Sequence, residues 1–259
     1  MTDIAPKLQW KGVSKRFNGG APVLDKLDLS VAPGRSLVII GGSGQGKSVT
    51  IKTALGLVRP DAGEIYLDGE RTVALSERQR RSLFSRVGVL FQGAALFDSL
   101  TVWENVAFRL LNADGVPRKE AKALAIEALG RVRLGPQVAD LFPSDLSGGM
   151  QKRVGLARAI AANPEIIFFD EPTTGLDPIM ADVINDLIVS TVKDVGATAL
   201  SITHDMTSAR KISDRIAMIY QGKIVWHGPT AEIDHSGNPY VDQFIHGRAE
   251  GPIKMAVKA

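Results

Sequence analysis

Gly41-Gly42-Ser43-Gly44-Gln45-Gly46-Lys47-Ser48 is the most restrictive stretch of the sequence. It has the spacing Gly, four residues, Gly-Lys-Ser, and it lies between the apolar run Leu37-Val38-Ile39-Ile40 and a segment of helix-forming composition from Ser48 to Leu57. Glycines let a backbone aim several N–H groups at one point, and the N-terminus of the helix that follows adds partial positive charge. Strand, loop and helix in this order form a cradle for phosphate oxygens. Lys47 is placed to reach β- and γ-phosphates, and Ser48 to offer its hydroxyl to Mg²⁺, which prefers oxygen donors and keeps several waters. A dinucleotide-binding loop is excluded because Gly-x-Gly-x-x-Gly is not met: after Gly42 and Gly44 the third position is Lys47.

A second motif suits hydrolysis of the ligand this loop would hold. Ile166-Ile167-Phe168-Phe169-Asp170-Glu171 reads as an apolar strand ending in two carboxylates, and strand alternation sends adjacent side chains to opposite faces. Asp170 is suited to hold Mg²⁺ through water, and Glu171 to accept a proton from an attacking water. In isolation the two acids read as solvated groups at a strand end. Following a phosphate loop, they describe a P-loop ATPase.

The segments Leu8-Gln9-Trp10, Leu24 to Val31 and Leu37 to Ile40 predict short strands and a β-rich N-terminal part. Val102 to Ala128 is mostly helix-forming, which predicts a helical insertion. A basic helix is expected from Gly148 to about Ala162, then strand Ile166 to Phe169, helix Pro178 to Val195, strand Thr198 to Thr203 and a final strand pair around Ile216 to Trp226. Alternating strands and helices predict an α/β fold with a mostly parallel sheet. Apolar residues at 44% suit a folded core. The longest apolar runs fall far short of the roughly 18 to 20 residues of a spanning helix. Met1 to Lys15 contains no secretory pattern, so the chain is expected in the cytosol. With no cysteine there is no disulfide or thiol chemistry. The 31 basic residues are interspersed with 28 acidic ones, which predicts a mixed solvated surface rather than a nucleic-acid face.

Leu146-Ser147-Gly148-Gly149-Met150 resembles the signature motif of ABC (ATP-binding cassette) ATPases, with Met150 where Gln is usual. The resemblance runs from about residue 8 to 230. It implies a RecA-like P-loop NTPase core with an N-terminal antiparallel β subdomain and an inserted α-helical subdomain at about 96–158. The ABC domain would span 1–236 and a C-terminal extension 237–259. It implies ATP and Mg²⁺ as ligands: Phe17 stacks on adenine, Gly41 to Ser48 with Val49 hold phosphate, and Ser48, Gln92 and, through water, Asp170 serve the metal. Glu171, His204 and the Q-loop residue Gln92 are the implied catalytic residues, and Asp177 belongs to the D-loop. Ser147, Gly148, Gly149 and Met150 would contact ATP held by a second copy. One loop and one signature per chain imply a head-to-tail homodimer, attached to integral permease subunits at the cytoplasmic side of the inner membrane. The segment Phe91 to Val106, with Phe97, Leu100 and Trp103, reads equally as a permease-docking surface or as helical core.

Ala95 to Val106 and Tyr240-Val241-Asp242-Gln243-Phe244-Ile245-His246-Gly247 are similar to ATPase subunits of Mla-type phospholipid transporters, which work with MCE-domain proteins. The first stretch is also similar to amino-acid and osmolyte importers. Soluble ABC ATPases acting on nucleic acid are disfavoured, because neither a long coiled-coil insertion nor a second cassette occurs. A regulatory ATP sensor is disfavoured by the presence of Lys47, Asp170, Glu171 and His204. The tail predicts a helix from Pro239 with Tyr240, Val241, Phe244 and Ile245 on one side, covering either its own domain or the other subunit.

Overall fold

The computed structural model describes residues 5–73 and 75–254. Strands β1 (Leu8–Lys15), β2 (Leu24–Val31) and β3 (Ser36–Ile40) precede helix α1 (Lys47–Ala54), and β4 (Ala62–Leu67) and β5 (Glu70–Arg71) follow it. Helix α2 (Glu77–Phe84) leads into β6 (Val87–Leu90) and then into α3 (Val102–Val106), α4 (Phe108–Asn112) and α5 (Arg118–Arg131). Next come α6 (Gly148–Ile160), β7 (Ile166–Asp170), α7 (Pro178–Val195) and β8 (Thr198–Ile202). They are followed by α8 (Met206–Ile212), the hairpin β9 (Arg215–Tyr220) and β10 (Lys223–Pro229), and α9 (Pro239–Ile245). The chain divides into two compact units, residues 5–73 with 202–254 and residues 75–201.

In the first unit the expected N-terminal antiparallel sheet has the order β2-β1-β4-β5. Leu8, Trp10 and Val13 are buried, and Trp10 lies opposite Leu29 on β2 and Ile65 on β4. Alternation along β1 and β2 puts one face of this sheet into a core. Strand β3 instead buries four consecutive residues, Leu37 to Ile40, as a strand covered on both faces does. It runs parallel to β9, with Val38 opposite Ile216 and Ile40 opposite Met218, and β10 returns antiparallel.

In the second unit β6 and β7 are parallel, with Val89 opposite Phe168. Phe168 and Phe169 are fully buried, worth about 1.5–3 kcal/mol each in apolar area removed from water. Helix α6 approaches β6 closely: a Cβ on Gly155 would stand 2.8 Å from the Leu90 side chain.

Some expectations are corrected. The helix expected over Ser48 to Leu57 starts at Lys47 and stops at Ala54, where Gly56 takes φ 65°. The helical stretch Val102 to Ala128 breaks at Ala107 (φ −83°, ψ 2°) between α3 and α4, and again before α5, where Gly115 adopts φ 67° and Pro117 sets the start of α5. The tail helix covers its own unit. Asn238 donates to the Val225 carbonyl (2.8 Å), and the Tyr240 ring lies 5.0 Å from that of Tyr220. Its buried side chains are Val241 and Gln243, not the expected four. Gln243 is drawn inward by backbone bonds: its amide nitrogen donates to the carbonyls of Arg248 and Ile253 (3.1 Å each), and its oxygen accepts from Ile253 N–H (2.7 Å). Residues 1–4 of the expected ABC domain and 255–259 of the expected extension lie outside the described residues. Among those described, no helix is long and apolar enough to cross a membrane.

Fully buried Asn105 organises the segment that follows Gln92. Its Oδ1 accepts from Phe97 N–H (2.7 Å), and its Nδ2 donates to the carbonyls of Phe97 (3.0 Å), Leu100 (3.1 Å) and Thr101 (3.1 Å). Asn105→Ala strands several polar groups at once and is expected to cost about 2–3 kcal/mol in urea unfolding with the denaturant slope unchanged. A loss below about 0.5 kcal/mol would contradict this role.

Candidate active site

Two glycines fix the phosphate loop against its own unit. Gly41 (φ 150°) follows β3, and a Cβ there would stand 2.5 Å from the Ile219 carbonyl oxygen. Gly46 (φ 105°) precedes α1, and its Cβ would stand 2.5 Å from the Val23 carbonyl oxygen. Side chains are excluded at both positions by backbone that cannot move aside. The Gln45 carboxamide oxygen accepts from Gln221 N–H (2.6 Å) at the β9–β10 turn, a third tie between loop and sheet. Lys47 is buried, and its ammonium donates to the carbonyls of Gly41 (2.7 Å) and Gly42 (3.0 Å). Ser48 and Val49 are half-buried on the first turn of α1.

Phe17 and His204 belong to the same unit. Phe17 is 45% exposed, with the Lys15 ammonium 5.4 Å from its ring centroid. That ammonium is anchored by Asp61 (2.7 Å), whose carboxyl is held below its usual range by bonds from Lys15 and from Arg16 N–H. His204 is exposed just after β8; Thr203 N–H donates to the Ile39 carbonyl (3.2 Å), which ties its approach to the strand feeding the phosphate loop.

The second unit carries the remaining candidates. Asp170 ends β7, and the strand alternation expected to extend through Glu171 stops there. Glu171 has φ 49°, the left-handed region that a non-glycine residue adopts at a cost of order 1–3 kcal/mol. It is nearly buried, and its carboxylate accepts from the Thr174 hydroxyl (3.2 Å). A turn rather than a pleat therefore separates the two acids. Ser147 caps α6, accepting from Met150 N–H (3.4 Å), with Gly148 exposed; a Cβ on Gly149 would crowd the Met180 side chain at 2.9 Å. Asp177 caps α7 through Ile179 N–H and Met180 N–H, both 3.0 Å.

Gln92 is exposed, and its backbone carbonyl accepts from the ammonium of Lys152. Burial pushes the Lys152 ammonium down from the usual lysine range, while the charges of Asp170 and Glu171 pull it back up. Arg158 holds the next carbonyls, those of Ala94 and Ala95 (2.7 Å), at left-handed residues of φ 59° and 49°. The sequence reading missed both cations. Their signal was a basic residue on the buried stripe of a helix, where Lys152 shares a face with Gly149, Leu156 and Ala159.

The segment after Gln92 divides between its two readings. Phe97 is 44% exposed, tilted against Phe108 at 4.5 Å, and helps to line a cleft of about 390 Å³ with Phe91, Arg109 and Arg158. Trp103 is buried under the cations of Arg118 (4.7 Å) and Lys122 (5.5 Å) and is core.

The ABC transporter family model matches residues 24–174, and the chain belongs to this family. It is an ATP-binding, ATP-hydrolysing cassette. It is 37% identical over 249 residues to the probable ribonucleotide transport ATP-binding protein mkl of Mycobacterium leprae, covering 96% of this chain and 71% of that one. It is 39% identical over 251 residues to the methionine import ATP-binding protein MetN of Caulobacter vibrioides (96% and 75%). Identity to the intermembrane phospholipid transport ATP-binding protein MlaF of Haemophilus influenzae is 36% over 241 residues (93% and 91%). The fold matches the dimeric post-hydrolysis structure of the ATP-binding cassette MJ0796 with ADP and Pi, with a TM-score of 0.79 and 31% identity over 86% of this chain and 98% of that one.

Gly41→Ala and Gly44→Ala separate close approach from backbone strain. Gly44 (φ 75°) has no atom within 4 Å of its would-be Cβ, so alanine there costs only the left-handed penalty of about 1–2 kcal/mol. Fluorescent-nucleotide titration is expected to show ATP affinity at least about tenfold lower in Gly41→Ala than in Gly44→Ala. Equal affinities would show that the Ile219 contact does not shape the loop.

Proposed function

We propose that the chain powers phospholipid movement through a separate membrane permease, as a head-to-tail pair at the cytoplasmic side of the inner membrane. The observation that carries the substrate class is the match to MlaF, which runs through 93% of this chain and 91% of that relative; the mkl and MetN matches span 71% and 75% of theirs. An MCE-domain protein is the expected accessory partner, and nucleic acid is not a partner. The exposed Phe97 and its cleft are the proposed permease seat. An importer of small solutes is the second reading, favoured by the MetN match.

In the proposed chemistry Phe17 supports adenine, and the loop from Gly41 through Ser48 and Val49, with the Lys47 ammonium, holds the phosphates. The Ser48 hydroxyl, the Gln92 side chain and, through water, the Asp170 carboxylate are hard oxygen donors. They fit Mg²⁺, which supplies charge neutralisation to the phosphates when bound and needs few protein ligands. Glu171 takes the proton of the attacking water; its left-handed turn and its bond from Thr174 fix the carboxylate for that task. His204 meets the γ-phosphate. Ser147, Gly148, Gly149 and Met150 serve the nucleotide of the partner copy, with Asp177 shaping the turn that follows Glu171.

The test is ATP turnover by the full chain with its permease in proteoliposomes. Wild type is expected to be stimulated by phospholipid-loaded accessory protein and not by methionine or ribonucleotides. Glu171→Gln is expected to keep ATP binding and lose about 10²- to 10⁴-fold in turnover. Stimulation by methionine alone would favour the second reading, and near-normal turnover in Glu171→Gln would contradict the assignment of the base.

A further inference from the structure

Helix α6 carries a lysine where its buried stripe would ordinarily take an apolar residue. Lys152 is only 7% exposed and shares its face with buried Gly149, Leu156 and Ala159. A buried ammonium is costly unless it is paired and hydrogen-bonded, so its partners indicate what it is kept for. One partner is a main-chain atom, the Gln92 carbonyl oxygen. The others are charges: Asp170 and Glu171 both act on Lys152 electrostatically. The helix that carries it is capped by Ser147, five residues upstream, about 7–8 Å along the axis. A single ammonium thus bonds the main chain at Gln92, feels the charges of the acidic pair and rides on the helix capped by Ser147.

Arg158 strengthens the arrangement. From the same helix it donates to the carbonyls of Ala94 and Ala95, whose backbones are left-handed. With Lys152 it grips three carbonyls within residues 92–95, so this stretch cannot shift without moving α6 or breaking charge-assisted bonds. Packing leaves little slack, since a Cβ on Gly155 would stand 3.1 Å from the Ala94 Cβ.

We propose that Lys152 is a positioning residue for ATP hydrolysis: its buried ammonium fixes the main chain at Gln92 to the helix that begins at Ser147. This rests on the reading of Gln92, Asp170 and Glu171 given above. The charges of Asp170 and Glu171 favour a lysine here over a neutral donor. A neutral donor could satisfy the carbonyl, but it would leave the acids without the ammonium charge, and the geometry of the proton-accepting carboxylate would relax.

The experiment compares wild type, Lys152→Met, Lys152→Gln, Lys152→Arg, Glu171→Gln and the double variant Lys152→Met/Glu171→Gln, each as the full chain with its permease. Steady-state kcat and KM for ATP, equilibrium ATP binding and thermal melting are measured for all. Glutamine keeps a donor without the charge, and methionine removes both. Both neutral variants are expected to fold, to bind ATP within about threefold of wild type, and to lose about tenfold or more in kcat. Arginine is expected to recover most of that loss. In the Glu171→Gln background, Lys152→Met is expected to change residual turnover by less than about twofold, because the group it acts through is gone. Normal kcat in either neutral variant, while Glu171→Gln is inactive, overturns the proposal and leaves the reading of Glu171 standing. Unfolding of both neutral variants, or an arginine variant as slow as methionine, also overturns it. Turnover that survives Glu171→Gln overturns the reading of Glu171 and the proposal with it.

Discussion

The phosphate loop turns through backbone conformations that side chains rarely adopt, and at Gly41 and Gly46 it does so where no side chain could fit. Gly41 and Gly46 press against the carbonyls of Ile219 and Val23, so the loop is shaped by the strand beside it and by the entry to β2, rather than by its own residues alone. The Gln45 bond to Gln221 adds a third tie. Lys47 could not remain charged in its buried place without partners, and the loop's own carbonyls supply two. The order of construction runs from sheet to loop to cation to phosphate chemistry.

The second unit solves a related problem with different means. Its acidic motif leaves β7 through a strained residue, Glu171, and the stretch after β6 passes through left-handed Ala94 and Ala95. Strain of this kind persists only where surroundings over-determine it. Here the surroundings are Thr174 for the carboxylate, and Lys152 and Arg158 for the carbonyls. The helix capped by Ser147 is therefore also the helix that holds the segment after Gln92.

Much of this was legible in the sequence, because some motifs are local. The phosphate loop follows from spacing, and β7 from an apolar run ending in acid. What was not legible depends on contacts between distant segments. Alternation could not show that β7 ends at Asp170 and that Glu171 turns left-handed. An aromatic-rich stretch could not show that Trp103 lies under Arg118 and Lys122 while Phe97 meets solvent. Apolar periodicity favoured Phe244 on the tail helix, but backbone groups near Ile253 drew Gln243 inward instead. Lys152 was hidden because a basic helix reads by default as solvated.

The proposed head-to-tail pair requires a phosphate loop from one copy and a signature from the other, and the matching cassette structure is a dimer. The central claim is that two copies share each ATP. The direct measurement mixes Ser147→Arg chains with Lys47→Ala chains in the presence of the permease, verifies subunit exchange, and scores trapped ATP before turnover. Each homodimer lacks both working sites, whereas a mixed dimer joins an intact Lys47 from one chain to an intact Ser147 from the other. The account predicts ATP trapping above that of either variant alone, approaching one site per mixed dimer. No rise in trapping or turnover after verified exchange would contradict it.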